Sequence, residues 1–460
     1  MTAEILTALA NALGDDAVMP WDEIATEKQS QIRGAIASEQ PPTCLVSPAS
    51  TEALGRVMAL AAANGWRVLA MGNGSKLSWG GLAEGIDMVV STARLNQLVD
   101  HAVGDFTVTV QPGLTVAALR QALAAQGQFL AIDPAFDAQA TLGGIVSTAD
   151  TGSLRQRYGG LRDMLIGVQF VRYDGEVARA GGRVVKNVAG YDLMKLLTGA
   201  YGSLGIISEL TFRLYPIQAN SRTVIMTGTS QAVEAAVAEM RMSGLTPVAL
   251  DVMSVGLMKA LFKREFGQLE GQPESQPESQ TAPGRLGVVV RFQGVADGVE
   301  EQTERLQKIG TTHAMGYQQL EGDADAAFWQ DSASLIRPDT VLCKLGLRPS
   351  GIPWLIQLAD ELAPDSQLKL HGSSGLGWVQ FEARSDTRSD HGEAVDIVEQ
   401  LRSHCLKNAG FLTILQAPKA MKHAMDVWGY SGNALGVMKD IKTKFDPQRL
   451  LSPGRFVGGL

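Results

Sequence analysis

Four segments in the first half of the chain are rich in glycine, and each lies beside a short apolar run. The first is MGNGSKLSWGG at 71–81. The others are IDPAFDAQATLGGIVSTADTG at 132–152, LRQRYGGLRD at 154–163 and GGRVVKNVAGYDLMKLLTGAYGSLGIISELTFRLYP at 181–216. Glycine lets successive backbone N–H groups turn toward one point, and converging amides hold phosphate oxygens. The pair Gly143-Gly144 also lets a flat ring approach the backbone. Taken singly, each segment reads equally as a tight turn or a loop inside a sheet. The first is not a P-loop, because no Gly-Lys-Ser/Thr closes it. Nor does it complete a Rossmann fingerprint, since Leu77 stands where the third glycine belongs.

Around these loops the apolar spacing predicts alternating helices and strands. Ser50 caps a helix carrying Leu54, Val57, Met58 and Ala61, and Gly65 ends it. Short strands are expected at 67–71 and 86–91, and FTVTVQ at 106–111 has strand alternation. Thr115 caps a second helix with Val116, Leu119 and Leu123 on one side, closed by Gly127. VQFVRYDGEVARA reads as a hairpin with Asp174-Gly175 in a type I′ turn. From 206 to 214 apolar residues alternate with Glu209, Thr211 and Arg213, which predicts a half-exposed strand stopped by Pro216. Residues 1–40 read as helices with polar faces.

Beyond about 220 the pattern becomes that of a separate α+β domain. Strands are expected at 222–226, 248–252, 286–292, 341–345 and 378–381, with helices at 231–242, 299–308, 354–362 and 393–408. The repeat QPESQPES at 272–279 has no apolar residue to bury, so a disordered loop is expected over 268–284.

At 460 residues the chain is long enough for two or three domains. A net charge of -8 without clustered Lys and Arg argues against nucleic acid as a partner. Cys44, Cys343 and Cys405 lie far apart, which argues against an iron–sulfur cluster or thiolate zinc site and fits a reducing compartment. The first residues lack a basic n-region, and no apolar stretch reaches the ~20 residues that span a bilayer. The reading is a cytoplasmic protein, with peripheral attachment to the inner membrane left to partners.

The order of the glycine loops, with Arg157–Gly159 and the phrase KNVAGYDLMKLLTGAYGSLGIISE at 186–209, resembles the PCMH-type FAD-binding domain of the vanillyl-alcohol-oxidase superfamily. Within it the chain is similar to the E-type, FAD-binding subunit of bacterial glycolate oxidase (glycolate dehydrogenase). The tail FDPQRLLSPGRF resembles the family's closing motif, with Ser452 where many members carry Asn. The resemblance covers 41–217 and the tail well, and the middle loosely. It implies an α+β fold: a helical segment over 1–40, an FAD domain of two α/β subdomains over 41–219, a cap over 220–425 and a tail at 426–460 returning to the FAD domain.

The resemblance also implies roles for residues. Gly72, Asn73, Gly74, Ser75 and Lys76 would cradle the FAD pyrophosphate. Pro134, Thr141, Leu142, Gly143, Gly144 and Ser147 would line the isoalloxazine. Gly152, Tyr158, Gly159 and Asp163 would form the second wall, and Gly205, Ile206 and Ile207 would meet the adenosine or ribityl portion. The first loop has no His, so non-covalent FAD is implied.

Departures bear on the chemistry. Related single-chain hydroxy-acid dehydrogenases carry His-x-Gly-Asp-Gly-Asn in the cap. Here LHGSSGLGW at 370–378 has His371 without the acid, and the six histidines do not cluster at metal-ligand spacing, so no metal is expected. A lone His or Tyr is more often structural, and Tyr191 and His371 stand only as weak catalytic candidates. Lys186 and Asp192 read as an ion pair, Arg348 as a loop arginine and 384–390 as a solvated turn. The resemblance implies an FAD-binding subunit that passes hydride from a 2-hydroxy acid to flavin. Its companions would be a larger D-type flavoprotein and an F-type iron–sulfur protein, as in glycolate oxidase. Two other readings stand beside it: a self-sufficient FAD oxidase or dehydrogenase acting on another hydroxy acid such as D-lactate, and a non-catalytic flavin-fold scaffold.

Overall fold

The computed structural model describes residues 2–183, 191–266, 286–383 and 392–460. The expected disordered loop 268–284, the turn at 384–390, and the residues Lys186, Asn187 and His391 lie outside the described residues. The chain divides into two compact units. One comprises Met1–Thr151, Gly159–Ile217 and Lys422–Leu460, and the other Gly152–Tyr158 and Gln218–Met421.

The first unit contains two main sheets. In one, the strand order is Val18–Pro20, Cys44–Val46, Met88–Ser91, Val68–Met71. The last three run parallel, and the first is an antiparallel edge. Parallel strands buried on both faces read as continuous apolar runs, and the two-residue period sorts them cleanly. Val46, Val68, Met88 and Val90 pack with Leu54, Val57, Met58, Ile5 and Leu9. Leu45, Leu69, Met71 and Val89 pack on the other side with Trp21, Ile24, Ile32 and Ile36. Residues 1–40 are therefore not simply polar-faced helices. Ile5, Leu9 and Ile32 are sealed in the core, and Val18–Pro20 adds a strand.

The expected capped helix spans Thr51–Asn64. Ser50 Oγ accepts from Ala53 N at 3.1 Å, and Gly65 ends it at φ +69°.

The second sheet is antiparallel, in the order Leu98–Ala102, Thr107–Val110, Ile206–Arg213, Leu165–Val171, Val177–Gly181. Ile206–Arg213 is thus central and mostly buried, not half-exposed. Its polar positions are covered because they pair across the sheet: Thr211 Oγ1 lies 3.0 Å from Thr109 Oγ1. The hairpin at 165–181 forms as expected, but its turn is not type I′. Asp174 is absent from the positive-φ residues and only Gly175 is left-handed, at φ +88°. Gly175 N bonds to Arg172 O and Arg172 N to Glu176 O, the pattern of a three-residue loop closed by one left-handed glycine. Asp174 Oδ2 accepts from Arg172 at 2.7 Å, favouring this form.

The tail docks on the first sheet through Val68 N to Leu450 O and Ser452 N to Val68 O, each 2.8 Å. Lys442 and Asp446 secure it as a buried pair at 2.6 Å. Lys442 Nζ also donates to the carbonyls of Ser203 and Leu451, and Asp446 accepts from the amides of Leu450 and Leu451.

The second unit is built on an eight-stranded antiparallel sheet. Its order is Gly316–Glu321, Asn220–Gly228, Leu286–Gly294, Ala249–Met253, Gln367–His371, Leu376–Phe381, Val341–Gly346, Phe411–Gln416. Five of these strands are legible as apolar runs. Gly316–Glu321 (GYQQLE) is too polar to signal a strand, Gln367–His371 (QLKLH) alternates over only five residues, and these two with Phe411–Gln416 lie outside the sequence-based assignment. Helices Val255–Phe266 and Gly322–Ala333 are likewise additions to the expected set.

Candidate functional site

Three loops of the first unit converge on one cleft. Strand Val68–Met71 releases the chain into the first of them at Gly72. Among the described residues, the amides of Gly72, Asn73, Gly74 and Ser75 donate to no protein acceptor. A Cβ at Gly72 would stand 2.1 Å from Thr141 Oγ1, so only glycine fits, and Gly74 is held at φ +92°. The second loop starts at Thr141, whose Oγ1 accepts from Gly144 N at 3.3 Å and caps the short helix Leu142–Thr148. Gly143 N bonds to Pro112 O at 2.8 Å, a contact that a Cβ would spoil by reaching within 2.6 Å of Pro112. The third loop is pinned by Tyr201 N to Ser147 O and Gly199 N to Val146 O, each 2.9 Å. With Arg455 from the tail, these loops line one cleft.

The charge around the cleft is unbalanced toward the positive. Lys76 is buried, and burial drives its pKa down, partly opposed by Asp150 at 3.3 Å. Its Nζ donates to Ala135 O at 2.6 Å and lies 5.5 and 5.7 Å from the ring centres of Trp79 and Phe136. Asp150 Oδ2 also accepts from Ala135 N at 2.9 Å, so the pair ties the first loop to the second.

Arg455 is buried and lowered to about 10, by burial first, with Tyr201 opposing. Its Nη1 donates to Gly81 O at 3.0 Å, and among the described residues its Nε has no partner. Among the described residues no carboxylate pairs with Arg455. Tyr201 is buried beside Trp428, and burial raises its hydroxyl.

Lys422 donates to the carbonyls of Ser78 and Gly80, and is pushed down to about 7 by burial and then by Arg455. An unfolded lysine keeps its proton to about 10.4. Between these values the unfolded chain binds the extra proton, so this group adds stability as pH rises. The melting temperature of wild type relative to Lys422→Met is accordingly expected to climb from pH 6 to pH 9. A difference that is flat or falls with pH in differential scanning calorimetry would contradict the assignment.

The cleft brings together most of the expected residues. Gly72, Asn73, Gly74, Ser75 and Lys76 line it, as do Thr141, Gly143, Gly144 and Ser147, and Gly205, Ile206 and Ile207. Leu142 instead points into the core, and Pro134 is buried outside the lining. Asp163 is spent on Gly160 N at 2.8 Å, capping helix Leu161–Met164, and Gly159 turns beside it at φ +80°. Gly152 and Tyr158 belong to the segment grouped with the second unit. Tyr191 is 89% exposed, and Asp192 pairs with Lys195 at 2.9 Å. His371 is buried in the second unit against Asp251. Sequence alone does not single out Arg455 or Tyr201: the tail motif FDPQRLLSPGRF carries two cations, Arg449 and Arg455, and nothing in it distinguishes the one that reaches the cleft.

The donor set fits FAD. Four free amides and an unpaired guanidinium suit a diphosphate, and backbone at Gly143 and Gly144 without side chains suits a planar ring.

Comparison with known proteins agrees. Residues 42–181 match the FAD binding domain family FAD_binding_4. The chain is 24% identical to glycolate oxidase subunit GlcD of Bacillus subtilis over 90% of its length and 88% of that protein. It is 26% identical to D-lactate dehydrogenase of Anaerostipes hadrus over 95% and 94%. Identity to glycolate oxidase subunit GlcE of Escherichia coli is 34%, over 26% of the chain and 34% of the relative. A p-cresol methylhydroxylase structure superposes with TM-score 0.75 at 16% identity, over 98% of this chain and 96% of that one, a likeness of fold. The fold is α+β with a PCMH-type FAD-binding part, FAD is the cofactor, and the chain is an FAD-dependent oxidoreductase.

Proposed function

We propose that the chain is the FAD-binding subunit of a 2-hydroxy acid dehydrogenase, with glycolate as substrate. Its companions are a D-type flavoprotein and an F-type iron–sulfur protein of the glycolate oxidase kind. The observation that carries the reading is the cleft of free amides with its unpaired Arg455. Its likeness to glycolate oxidase subunits supports the substrate class. Residues 41–219 with 426–460 hold the cofactor, and 220–425 take substrate and partner.

The amides of 72–75 bind the pyrophosphate, and Arg455 neutralises its charge. The loop at 141–148 seats the ring, and Gly205 to Ile207 meet the adenosine or ribityl part. Pro134, Leu142, Gly159 and Asp163 act from behind as supports. Binding is non-covalent, because the first loop offers no His. Bound FAD supplies a hydride acceptor for the α-carbon. In this reading the electrons leave the flavin for the iron–sulfur companion. Among the described residues no helix is long and apolar enough to cross a membrane, and any inner-membrane attachment runs through the companions.

D-lactate is the second substrate reading, favoured by the near full-length likeness to a D-lactate dehydrogenase. Anaerobic mixing of the FAD-loaded chain with glycolate and D-lactate, alone and with both companions, tests the proposal. Bleaching of the long-wavelength flavin band is expected. Flavin that stays oxidised under every condition would overturn the reading.

A further inference from the structure

The third loop of the cofactor cleft sets a tyrosine where its backbone favours glycine. Gly199, Tyr201 and Gly202 all lie in the left-handed region, at φ +83°, +54° and +74°. A bulky side chain at positive φ is strained and persists only where its surroundings fix it. Here they do. Tyr201 N donates to Ser147 O, and Gly199 N to Val146 O, each at 2.9 Å. The Tyr201 ring meets Trp428 edge-on, with centres 5.0 Å apart, and Phe456 at 6.4 Å. It also lies against Gly80, where a Cβ would stand 3.0 Å from Tyr201 Cε1 and 3.2 Å from Trp428 Cζ2.

Packing accounts for the ring and not for the hydroxyl. Phenylalanine fills the same space, and a buried phenol usually finds a hydrogen-bond partner. Tyr201 is 9% exposed and lines the cleft. Among the described residues its Oη makes no hydrogen bond, yet it is not one of the sealed polar atoms. The hydroxyl therefore opens onto the cleft. Burial raises its pKa, with Arg455 opposing and Asp150 adding to the rise, so the phenol keeps its proton and can donate. Its loop is tied to Val146 and Ser147 of helix Leu142–Thr148, whose first turn carries Gly143 and Gly144. The phosphate side of the cleft already has the free amides of 72–75.

We propose, resting on the reading above that loop 141–148 seats the ring, that Tyr201 sets the reduction potential of the bound flavin. Its hydroxyl donates to a carbonyl or ring-nitrogen acceptor of the isoalloxazine and holds the reduced ring more tightly than the oxidised one. Reduction adds two electrons to the ring, and its acceptor atoms gain negative charge. A hydrogen bond to a charged acceptor is about twice as strong as one to a neutral acceptor. The same donor thus favours the reduced state. No bond to Tyr201 forms or breaks, and its proton stays on Oη. The electrons are those that the hydroxy acid gives up.

Anaerobic reductive titration of the FAD-loaded chain against a reference dye, with fluorescence titration of the FAD-free chain, tests this. The two proteins compared are wild type and Tyr201→Phe, which removes the hydroxyl alone. The variant is expected to bind oxidised FAD within about threefold of wild type, and to lose about tenfold more affinity for the reduced form. At about 30 mV per tenfold change for a two-electron couple, its midpoint potential then lies about 30 mV below that of wild type. Equal melting temperatures of the FAD-free proteins are expected, which separates this effect from misfolding. Affinity that falls alike for both oxidation states leaves the midpoint unchanged and marks a hydroxyl that meets the pyrophosphate or serves structure alone. That result, or a higher midpoint in the variant, overturns the inference and leaves the cofactor site standing. A folded wild type that takes up no FAD overturns both together.

Discussion

Replacing Arg455 by methionine is expected to weaken FAD binding by about 2–5 kcal/mol, thirtyfold or more, while leaving the FAD-free protein at least as stable as wild type. The two effects have one cause. A guanidinium buried without a carboxylate partner costs stability in the empty protein, because its hydration is not replaced. Among the described residues its Nε has no partner, and burial lowers the guanidinium to about 10. That cost is recovered only when an anion arrives. Lost affinity with retained stability is the signature of a group kept for a ligand. Isothermal titration with FAD and thermal melting of both proteins read the two numbers. If the variant binds FAD as tightly as wild type, Arg455 is a structural residue and the electrostatic argument for the cleft falls.

The second large effect concerns Lys76 and Asp150. This pair is nearly sealed, with side chains 4% and 11% exposed. Breaking a buried ion pair by removing one partner costs about 3–5 kcal/mol, because the other charge stays uncompensated. Lys76→Met is therefore expected to lose that much stability, and Asp150→Asn to fall the same way. The double variant is expected to recover most of the loss, since neither charge remains. Denaturant unfolding of the four proteins gives the coupling directly. Additive losses would mean that Lys76 acts through Ala135 O and the flanking rings rather than through Asp150.

The cofactor loops are legible in sequence because glycine reports backbone geometry locally. Gly72 and Gly143 are required by contacts with Thr141 and Pro112, and the loops that contain them could be singled out before those contacts were known. What joins the loops is not local. Lys76 meets Asp150, and Asp251 meets His371, across separations that no spacing rule connects. Gly152, Tyr158, Gly159 and Asp163, expected as a second wall, are not among the residues lining the cleft, and Asp163 instead caps its own helix. Strand Gln367–His371 alternates, with Leu368 and Leu370 between Gln367, Lys369 and His371, but two apolar positions in five residues are too few to mark a strand.

The central claim is that the first unit holds one non-covalent FAD in the cleft of loops 71–77, 141–148 and 201–207. The most direct test is titration of the FAD-free chain with FAD, followed by flavin fluorescence, with acid precipitation of the saturated protein. The account predicts quenching that ends at one FAD per chain and a colourless pellet with all flavin in the supernatant. A folded chain that quenches no FAD, or flavin that stays with the precipitated protein, would contradict it.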